Sequence, residues 1–553
     1  MPIIELLDST VIKVTIFLIF LSLFVYEMRG GQLKKWLGYL LFFLSVIFMF
    51  TFKWYPLVFN GPLNGDEAFV YSTALTLLNV DPIPFRYVDF TTLGPVHNYF
   101  FLIPQLLGFK VSFTGIRWVW IASLILTLIL TYKSLVNFYG KRNSLLFFFY
   151  PFLLWATSYI YDFNFFYNEL TCSLFLSAGL YLFSKNLREN ELHRNLFDFT
   201  SVILLSISVY AKPHAALFAF VIVFFILVNK FKKEGLSLAY IVKFLASGFA
   251  FSVLFLGFLY LYESLDEFFL FYIDINLGYG NKIGLPERIF NAFVVRSTTE
   301  PGLNYFVKHL YLLLTLILPV ILLLRKRFWN IKSLFIVVFS VVTIISISIP
   351  GTNYGHYYNF ILLSLPLILG FIGEELGEIW QHIYKSALLL LCTVFFSYSL
   401  IEHSNRYEDL KGKDKSYYNK LVRTDVSRSL IQMANELSIK SPKLAIFDWR
   451  NEIYIETGFM PATHYTMPER LIGGQVPDEK IISKARVIYL DDLKKNKPDF
   501  FLVAKGTTYS YWDMTLNAMK QMPDIYEYFS DNYSLVGDQS DLLIYLRNDH
   551  IKP

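Results

Sequence analysis

A chain of 553 residues that is 55% hydrophobic and 19% aromatic but only 17% charged lies well below the roughly 25% charge of a soluble globular protein. Its net charge of +5 is small for this length and gives no reason to expect a nucleic-acid partner. The two cysteines, Cys172 and Cys392, both sit in apolar runs, which argues against a disulfide framework or a cysteine-based metal site.

The apolar residues are gathered in blocks that stop near residue 401. A bilayer-spanning helix needs roughly 20 mostly apolar residues. Candidate spans are 9–27, 36–53, 117–137, 143–160, 168–185, 198–211, 213–229, 240–262, 307–324, 333–349, 357–373 and 384–401, about twelve in all. The N-terminus does not read as a cleavable leader, because Glu5 and Asp8 stand where a basic region belongs. The pair 198–211 and 213–229 is two short halves separated by Pro213. The expected architecture is a polytopic α-helical membrane protein. It comprises a transmembrane domain over 1–401, with a first outer loop at 54–116, and a soluble extracytoplasmic α/β domain over 402–553.

Orientation follows from Lys and Arg in short loops. Arg29, Lys34 and Lys35 follow the first span, Lys141 and Arg142 the third, and Lys185, Arg188 and Arg194 the fifth. Lys230, Lys232 and Lys233 follow the seventh, and Arg325, Lys326, Arg327 and Lys332 the ninth. These loops read as cytoplasmic. The acidic loop at Glu374, Glu375 and Glu378 breaks the pattern, but acidic residues contribute little to the rule. The opposite, outer side then receives 54–116, 161–167, 263–306, 350–356 and everything after 401. Segment 95–109 is apolar but short and carries Pro104, so it reads as a helix lying in the outer interface.

The outer side also carries the polar residues that need a reason. Asn64-Gly65-Asp66-Glu67-Ala68 follows a span directly. Two adjacent carboxylates there suit general base catalysis or the binding of a metal or sugar hydroxyls; equally, Asp66 could cap a helix that starts near Glu67. Arg86 suits a phosphate as a bidentate donor or is an ordinary interface arginine. His97 opens the interfacial helix, where a structural histidine is the commoner case. In Tyr161-Asp162-Phe163-Asn164-Phe165-Phe166-Tyr167-Asn168-Glu169, Glu169 falls at the outer edge of a span, a depth at which a carboxylate is costly and points to function. Asp162 reads as a solvated loop residue. Lys212, in Lys212-Pro213-His214, pairs with a lipid phosphate or an outer-loop carboxylate, or snorkels to the interface. Tyr354-Gly355-His356-Tyr357-Tyr358 opens a late span, and His356 is the residue that an aromatic interface belt does not explain. The cytoplasmic loops hold no comparable set, so the expected chemistry is at the outer leaflet, with Asp66, Glu67, Glu169, Lys212 and His356 sharing one cavity.

Taken in order, these residues resemble the GT-C superfamily of membrane glycosyltransferases, in the branch of the protein O-mannosyltransferases, the lipid A aminoarabinose transferases and many bacterial cell-envelope glycan enzymes. Asp66 and Glu67 match the family's acidic pair, Gly94 and Pro95 the stretch before its short apolar helix, and Glu169 its acidic residue at a later span. Lys212 matches its lysine-bearing break, and His356 and Tyr357, with Pro366 downstream, its late-span motif. The resemblance covers most of 36–373. Some relatives carry a lysine beside that proline for the donor phosphate; this chain has Gly94 there, leaving Arg86, Lys212 or His97 for that role. The resemblance implies a sugar donor on a polyprenyl phosphate, inverting transfer with an acidic residue as base, and Asp66 and Glu67 as catalytic residues. It also implies substrate binding by Arg86, His97, Glu169, Lys212, His356 and Tyr357, and a glycan, lipid or protein acceptor. No cofactor is required by the sequence, and a divalent cation is compatible with it.

In the C-terminal part, 408–420 is a charged linker and 426–437 an amphipathic helix. Residues 444–447 and 499–503 read as strands, and 533–536 with 542–546 as a hairpin around Gly537-Asp538. Tyr454 and Pro461-Ala462-Thr463 resemble features of similar tails on bacterial relatives; acceptor binding and a stabilising lid are both open roles. Two other functions compete. A lipid-linked glycan polymerase or ligase should show more outer-loop arginines. A lipid or glycan transporter should show a second interrupted helix to match the break at Lys212-Pro213.

Overall fold

A computed structural model describes residues 9–29, 35–90, 93–109, 112–158, 163–188, 194–278, 283–295, 302–326, 330–351, 354–376, 378–411, 421–473, 478–506, 513–539 and 541–551. Lys34, Tyr161, Asp162, Arg327 and residues 412–420 of the charged linker lie outside them. The chain forms two compact units, each described by itself: Met1–Val58 with Arg117–Leu254 and Gly280–Tyr418, and Phe59–Ile116 with Phe255–Tyr279 and Asn419–Pro553.

The chain is a multi-pass membrane protein. Among the described residues nine helices have the length and apolarity of a span: Thr10–Met28, Trp36–Val58, Phe113–Tyr139, Ala215–Glu234, Leu238–Leu261, Val307–Arg325, Ile331–Ser348, Gly355–Glu375 and Trp380–Glu402. The other three sequence-derived spans are helical as well, at Lys141–Thr157, Asn168–Arg188 and Arg194–Ala211. They are shorter or carry more polar side chains, as expected of helices that face helices rather than lipid.

In the first unit the second span does not stop at residue 53. The helix runs through Lys53 and Pro56 to Val58. Lys53 is fully buried, and its Nζ donates to Ser158 O at 2.6 Å, Asn164 Oδ1 at 2.7 Å and Phe163 O at 3.2 Å. Three acceptors saturate an ammonium group, which explains how a lysine survives inside an apolar helix. Arg117, also fully buried, donates to Pro56 O at 3.0 Å, taking up an acceptor near the end of the same helix.

In the second unit, helix Gly65–Asn79 opens the first loop, followed by the short helices Pro95–Phe100 and Ile103–Leu106. Leu106, Leu107 and Phe109 are exposed apolar residues, which suits an interfacial position. The C-terminal part is an α/β domain. Its five strands, β1 (Lys443–Phe447), β2 (Met460–Pro461), β3 (Phe500–Ala504), β4 (Tyr533–Gln539) and β5 (Leu542–Arg547), are ordered β2-β1-β3-β5-β4. β2 and β3 run parallel to β1, with Ala445 opposite Phe501, and β5 runs antiparallel to β3 and β4. The core is formed by Leu444, Ile446, Phe500, Leu502 and Ile544 under Leu430 of helix Asp425–Glu436. β4 is longer than the sequence implies: Gly537 and Asp538 belong to the strand, and the register shifts between Leu535 and Gly537. The extra residue of a bulge is absorbed inside the strand, so the hairpin reverses later.

The first loop and the C-terminal domain are joined within this unit. Val422 N–H donates to Asn60 O at 3.0 Å and Asp89 N–H to His464 O at 3.3 Å.

Candidate functional site

The acidic pair sits in the first turn of helix Gly65–Asn79. Asn64 is its cap, with Oδ1 accepting from Glu67 N–H at 3.1 Å. Glu67 is fully buried, and its Oε2 accepts from Leu63 N–H at 3.0 Å. This reciprocal arrangement is close to a capping box. The alternative in which Asp66 is the cap is thereby set aside: Asp66 occupies the second helical position and is half-buried. Gly65 has a packing reason to be glycine, because a Cβ there would meet Trp449 Nε1 at 2.8 Å.

The C-terminal domain supplies the surroundings of this turn. Helix Glu452–Thr457 packs against helix Gly65–Asn79. Further along the loop, His464 donates from Nε2 to Arg86 O at 2.6 Å and pairs through Nδ1 with Asp492 Oδ2 at 2.6 Å. Tyr87 packs on the His464 ring at 4.5 Å and receives a hydrogen bond from Asn496. Burial is the main cause that pushes its hydroxyl up to about 12, so it stays neutral. The side chain of Arg86 is taken by Asp81, with Nε to Oδ2 at 2.6 Å and Nη2 to Oδ1 at 3.0 Å. His97 is fully buried against the edge of Phe101 at 5.1 Å.

A second polar cluster lies in the other unit. Glu169 is in the first turn of helix Asn168–Arg188 and is fully buried. Lys212 Nζ is 3.2 Å and His356 Nε2 4.0 Å from its Oε1. Lys212 sits in the break between helices ending at Ala211 and starting at Ala215, and lies 5.3 Å from the Tyr357 ring. His356 stacks between Tyr167 at 4.3 Å and Tyr354 at 5.6 Å. The turn carrying it is fixed by Asn359, which donates to His356 O at 2.9 Å and accepts from Trp155 Nε1 at 2.9 Å. The amide of Asn168 and both Glu169 oxygens make no hydrogen bond among the described residues. Buried polar groups left in that state are costly unless a ligand or water meets them. A carboxylate, an ammonium and an imidazole between aromatic faces can hold hydroxyls or a phosphate.

The structure thus groups Glu169, Lys212, His356 and Tyr357 in one unit, and Asp66, Glu67, Arg86 and His97 in the other. Sequence reading passes over Lys53, Asn168, Trp449, Glu469 and Arg470. Lys53, a lysine inside an apolar run, is the one of these that the sequence signals, and hydropathy places it at the end of the span 36–53.

No protein-family model matches the chain, and no curated protein matches it in sequence. Solved structures match its fold. ArnT from Cupriavidus metallidurans bound to undecaprenyl phosphate aligns with a TM-score of 0.56 at 10% identity, over 94% of this chain and 100% of that one. The apo state of the same protein gives 0.52 at 12% identity over the same shares, 94% and 100%. The archaeal oligosaccharyltransferase AglB from Archaeoglobus fulgidus, in complex with an inhibitory peptide and a dolichol-phosphate, gives 0.49 at 11%, over 84% of this chain and 69% of that one. The chain shares the fold of ArnT.

Proposed function

We propose that this protein is a membrane glycosyltransferase. In this reading it takes a sugar from a polyprenyl-phosphate donor that reaches it through the bilayer and passes it to a hydroxyl of a glycan, lipid or protein acceptor. It works in the plasma membrane, with the reaction on the extracytoplasmic face, the side that the basic loops leave for residues 54–116. Asp66 is the general base. It takes the acceptor proton as the acceptor oxygen attacks the anomeric carbon, and the polyprenyl phosphate leaves with the bonding pair. Glu67 positions Asp66 by tying the turn to Leu63. Glu169, Lys212, His356 and Tyr357 bind substrate, with Lys212 the cation suited to a phosphate.

One observation carries this reading: Asn64 caps the helix and Glu67 ties the loop, so Asp66 is the carboxylate of the pair that remains half-exposed. The likeness of fold to ArnT, which was crystallised with undecaprenyl phosphate, supports a lipid-phosphate donor. The test is a panel of radiolabelled polyprenyl-phosphate sugars offered to the full-length protein in nanodiscs, with membrane extracts as acceptor. Transfer from at least one donor is expected. Absence of both binding and transfer across hexosyl and pentosyl donors would overturn the reading.

A further inference from the structure

Four helices of the first unit, Phe113–Tyr139, Asn168–Arg188, Ala215–Glu234 and Ile331–Ser348, leave a cavity of about 460 Å³ between their ends. That is within the roughly 300–1,000 Å³ of small-ligand sites. Lys232, Lys332, Asn137, Asn229 and Asn330 line it together with Phe138. Every polar side chain among these carries N–H donors, and no carboxylate lines the cavity among the described residues.

The helices that carry Glu169 and follow Lys212 also fix where the cavity sits. Helix Asn168–Arg188 bears Glu169 in its first turn and reaches the cavity at Leu187, in its last. Its 21 residues extend about 30 Å, roughly the thickness of a bilayer's hydrocarbon core. Helix Ala215–Glu234 starts just after Lys212 and brings Asn229 and Lys232 to the cavity in its last turns. The cavity is therefore at the end of this unit remote from the Glu169 cluster, the end that the basic loops mark as cytoplasmic.

Local hydrogen bonds leave donors for a ligand. Lys332 gives one N–H to Glu374 Oε2 at 2.5 Å, and an ammonium has three. Asn330 caps helix Ile331–Ser348 through Oδ1, which accepts from Ser333 N–H at 3.3 Å; its amide N–H groups are not used in that bond. Asn229 is only 2% exposed, and its amide makes no hydrogen bond among the described residues. A buried amide in that state is costly unless a ligand or water meets it. The lysines flanking Lys232 are engaged elsewhere. Lys230 binds Glu234 and, at 2.9 Å, Asn195 Oδ1, while Lys233 donates to Asn186 O at 3.2 Å and Leu187 O at 3.3 Å.

The lipid-facing surface leads to the same place. Phe220, Phe224 and Phe231 are exposed and recur at helical spacing on one face of helix Ala215–Glu234. This apolar stripe ends beside Lys232. An acyl chain lying along it brings its headgroup to the cavity.

We propose that the cavity binds the phosphate of an anionic phospholipid from the cytoplasmic leaflet, with Lys232 and Lys332 as the cations and Asn229 as the buried donor. Basic pockets between membrane helices on that side suit such headgroups. The bound headgroup ties the end of helix Ala215–Glu234 to the start of helix Ile331–Ser348. The site is separate from the one assigned to the sugar donor and does not depend on that assignment.

The test adds phosphatidylglycerol, or phosphatidylcholine with the same acyl chains, to the full-length protein in detergent, with inorganic phosphate as a third arm. Native mass spectrometry counts retained lipid, and thermal unfolding follows stability. One phosphatidylglycerol should be retained and the unfolding temperature should rise. Phosphatidylcholine, whose own cation offsets its phosphate, should do less, and inorganic phosphate should leave the unfolding temperature unchanged. Lys232→Met and Lys332→Met should each weaken retention about fivefold, the contribution of one lysine at a membrane surface. Lys243→Met, at an exposed position of helix Leu238–Leu261, should retain the lipid as the wild type does. Should one cavity variant fail to fold, the other and Asn229→Ala still decide. Equal retention of the two lipids, or equal losses in the cavity variants and in Lys243→Met, would overturn the proposal. Stabilisation by inorganic phosphate matching that by phosphatidylglycerol would also overturn it, by making the ligand a free phosphate.

Discussion

Asn64 Oδ1 accepts the backbone N–H of Glu67 at 3.1 Å, and this bond separates the roles of the two adjacent carboxylates. Asn64 caps the turn and Glu67, buried, accepts from Leu63 N–H. Asn64→Ala should therefore do two things. It should lower stability by about 1 kcal/mol, the ordinary cost of a lost cap, and it should lower turnover by misplacing Asp66. Thermal unfolding in nanodiscs together with transfer kinetics checks both. A normal rate with a reduced melting temperature would show that the cap matters to the fold alone.

The close approach of Gly65 to Trp449 gives a second test. A Cβ at residue 65 would meet Trp449 Nε1 at 2.8 Å, so Gly65→Ala is expected to cost about 1–3 kcal/mol through overpacking. Trp449→Phe should recover part of the loss in the double variant, because it shortens the ring at the point of contact. A single Gly65→Ala variant as stable and active as the wild type would contradict the packing.

The Glu169–Lys212 pair is buried on both sides. Removing one partner leaves an uncompensated charge, at a typical cost of about 3–5 kcal/mol. Glu169→Gln and Lys212→Met should each lower the melting temperature, and the double variant should be more stable than the sum of the two losses implies. Turnover should not return in the double variant, because both groups are read as touching substrate. Recovery of turnover together with stability would make the pair purely structural.

Arg86 presents the opposite case. Its guanidinium is gripped by Asp81 and is 43% exposed, and such pairs contribute about 0–1 kcal/mol. Arg86→Gln should leave stability and donor KM nearly unchanged. A rise of about tenfold or more in donor KM, on the order of 1.4 kcal/mol, would give Arg86 the phosphate-binding role that its sequence context allows.

The pH dependence of stability has a definite sign at Glu469. Its carboxyl is raised in the folded state, chiefly by burial. The folded protein therefore binds that proton more tightly than the unfolded chain does. The resulting stabilisation is fully present below the unfolded carboxyl range and is lost as pH rises through the folded value. Glu469→Gln should flatten this part of the melting-temperature curve. An unchanged slope between pH 4 and 7 would contradict the assignment.

Much of the fold is legible in the sequence because it rests on local pattern. The helix read at 426–437 is Asp425–Glu436, and the strands read at 444–447 and 499–503 are β1 and β3. The alternation of burial that defines these elements is written in neighbouring residues. The boundary at Lys53 misleads because hydropathy prices a lysine as though it faced lipid, while here three acceptors from another segment satisfy it. The cap at Asn64 is ambiguous in sequence because Asn and Asp cap equally well; only the hydrogen bonds separate them. Arg470 Nε and Asp89 Oδ2 are 3.7 Å apart although the residues are far apart in the chain, and no periodicity reports a pair of that kind. The acidic pair, Glu169, Lys212 and His356 are visible as costly residues in unfavourable places, whereas their partners become visible only once the chain is folded.

The most direct measurement compares Asp66→Asn with the wild type, in full-length protein, using a polyprenyl-phosphate sugar shown to be a donor. The substitution preserves shape and removes the basic oxygen. The account predicts a fall in turnover of about 10²–10⁴-fold, with donor binding retained. Near-normal turnover in Asp66→Asn, above all beside an inactive Glu67→Gln, would contradict it and move the base elsewhere.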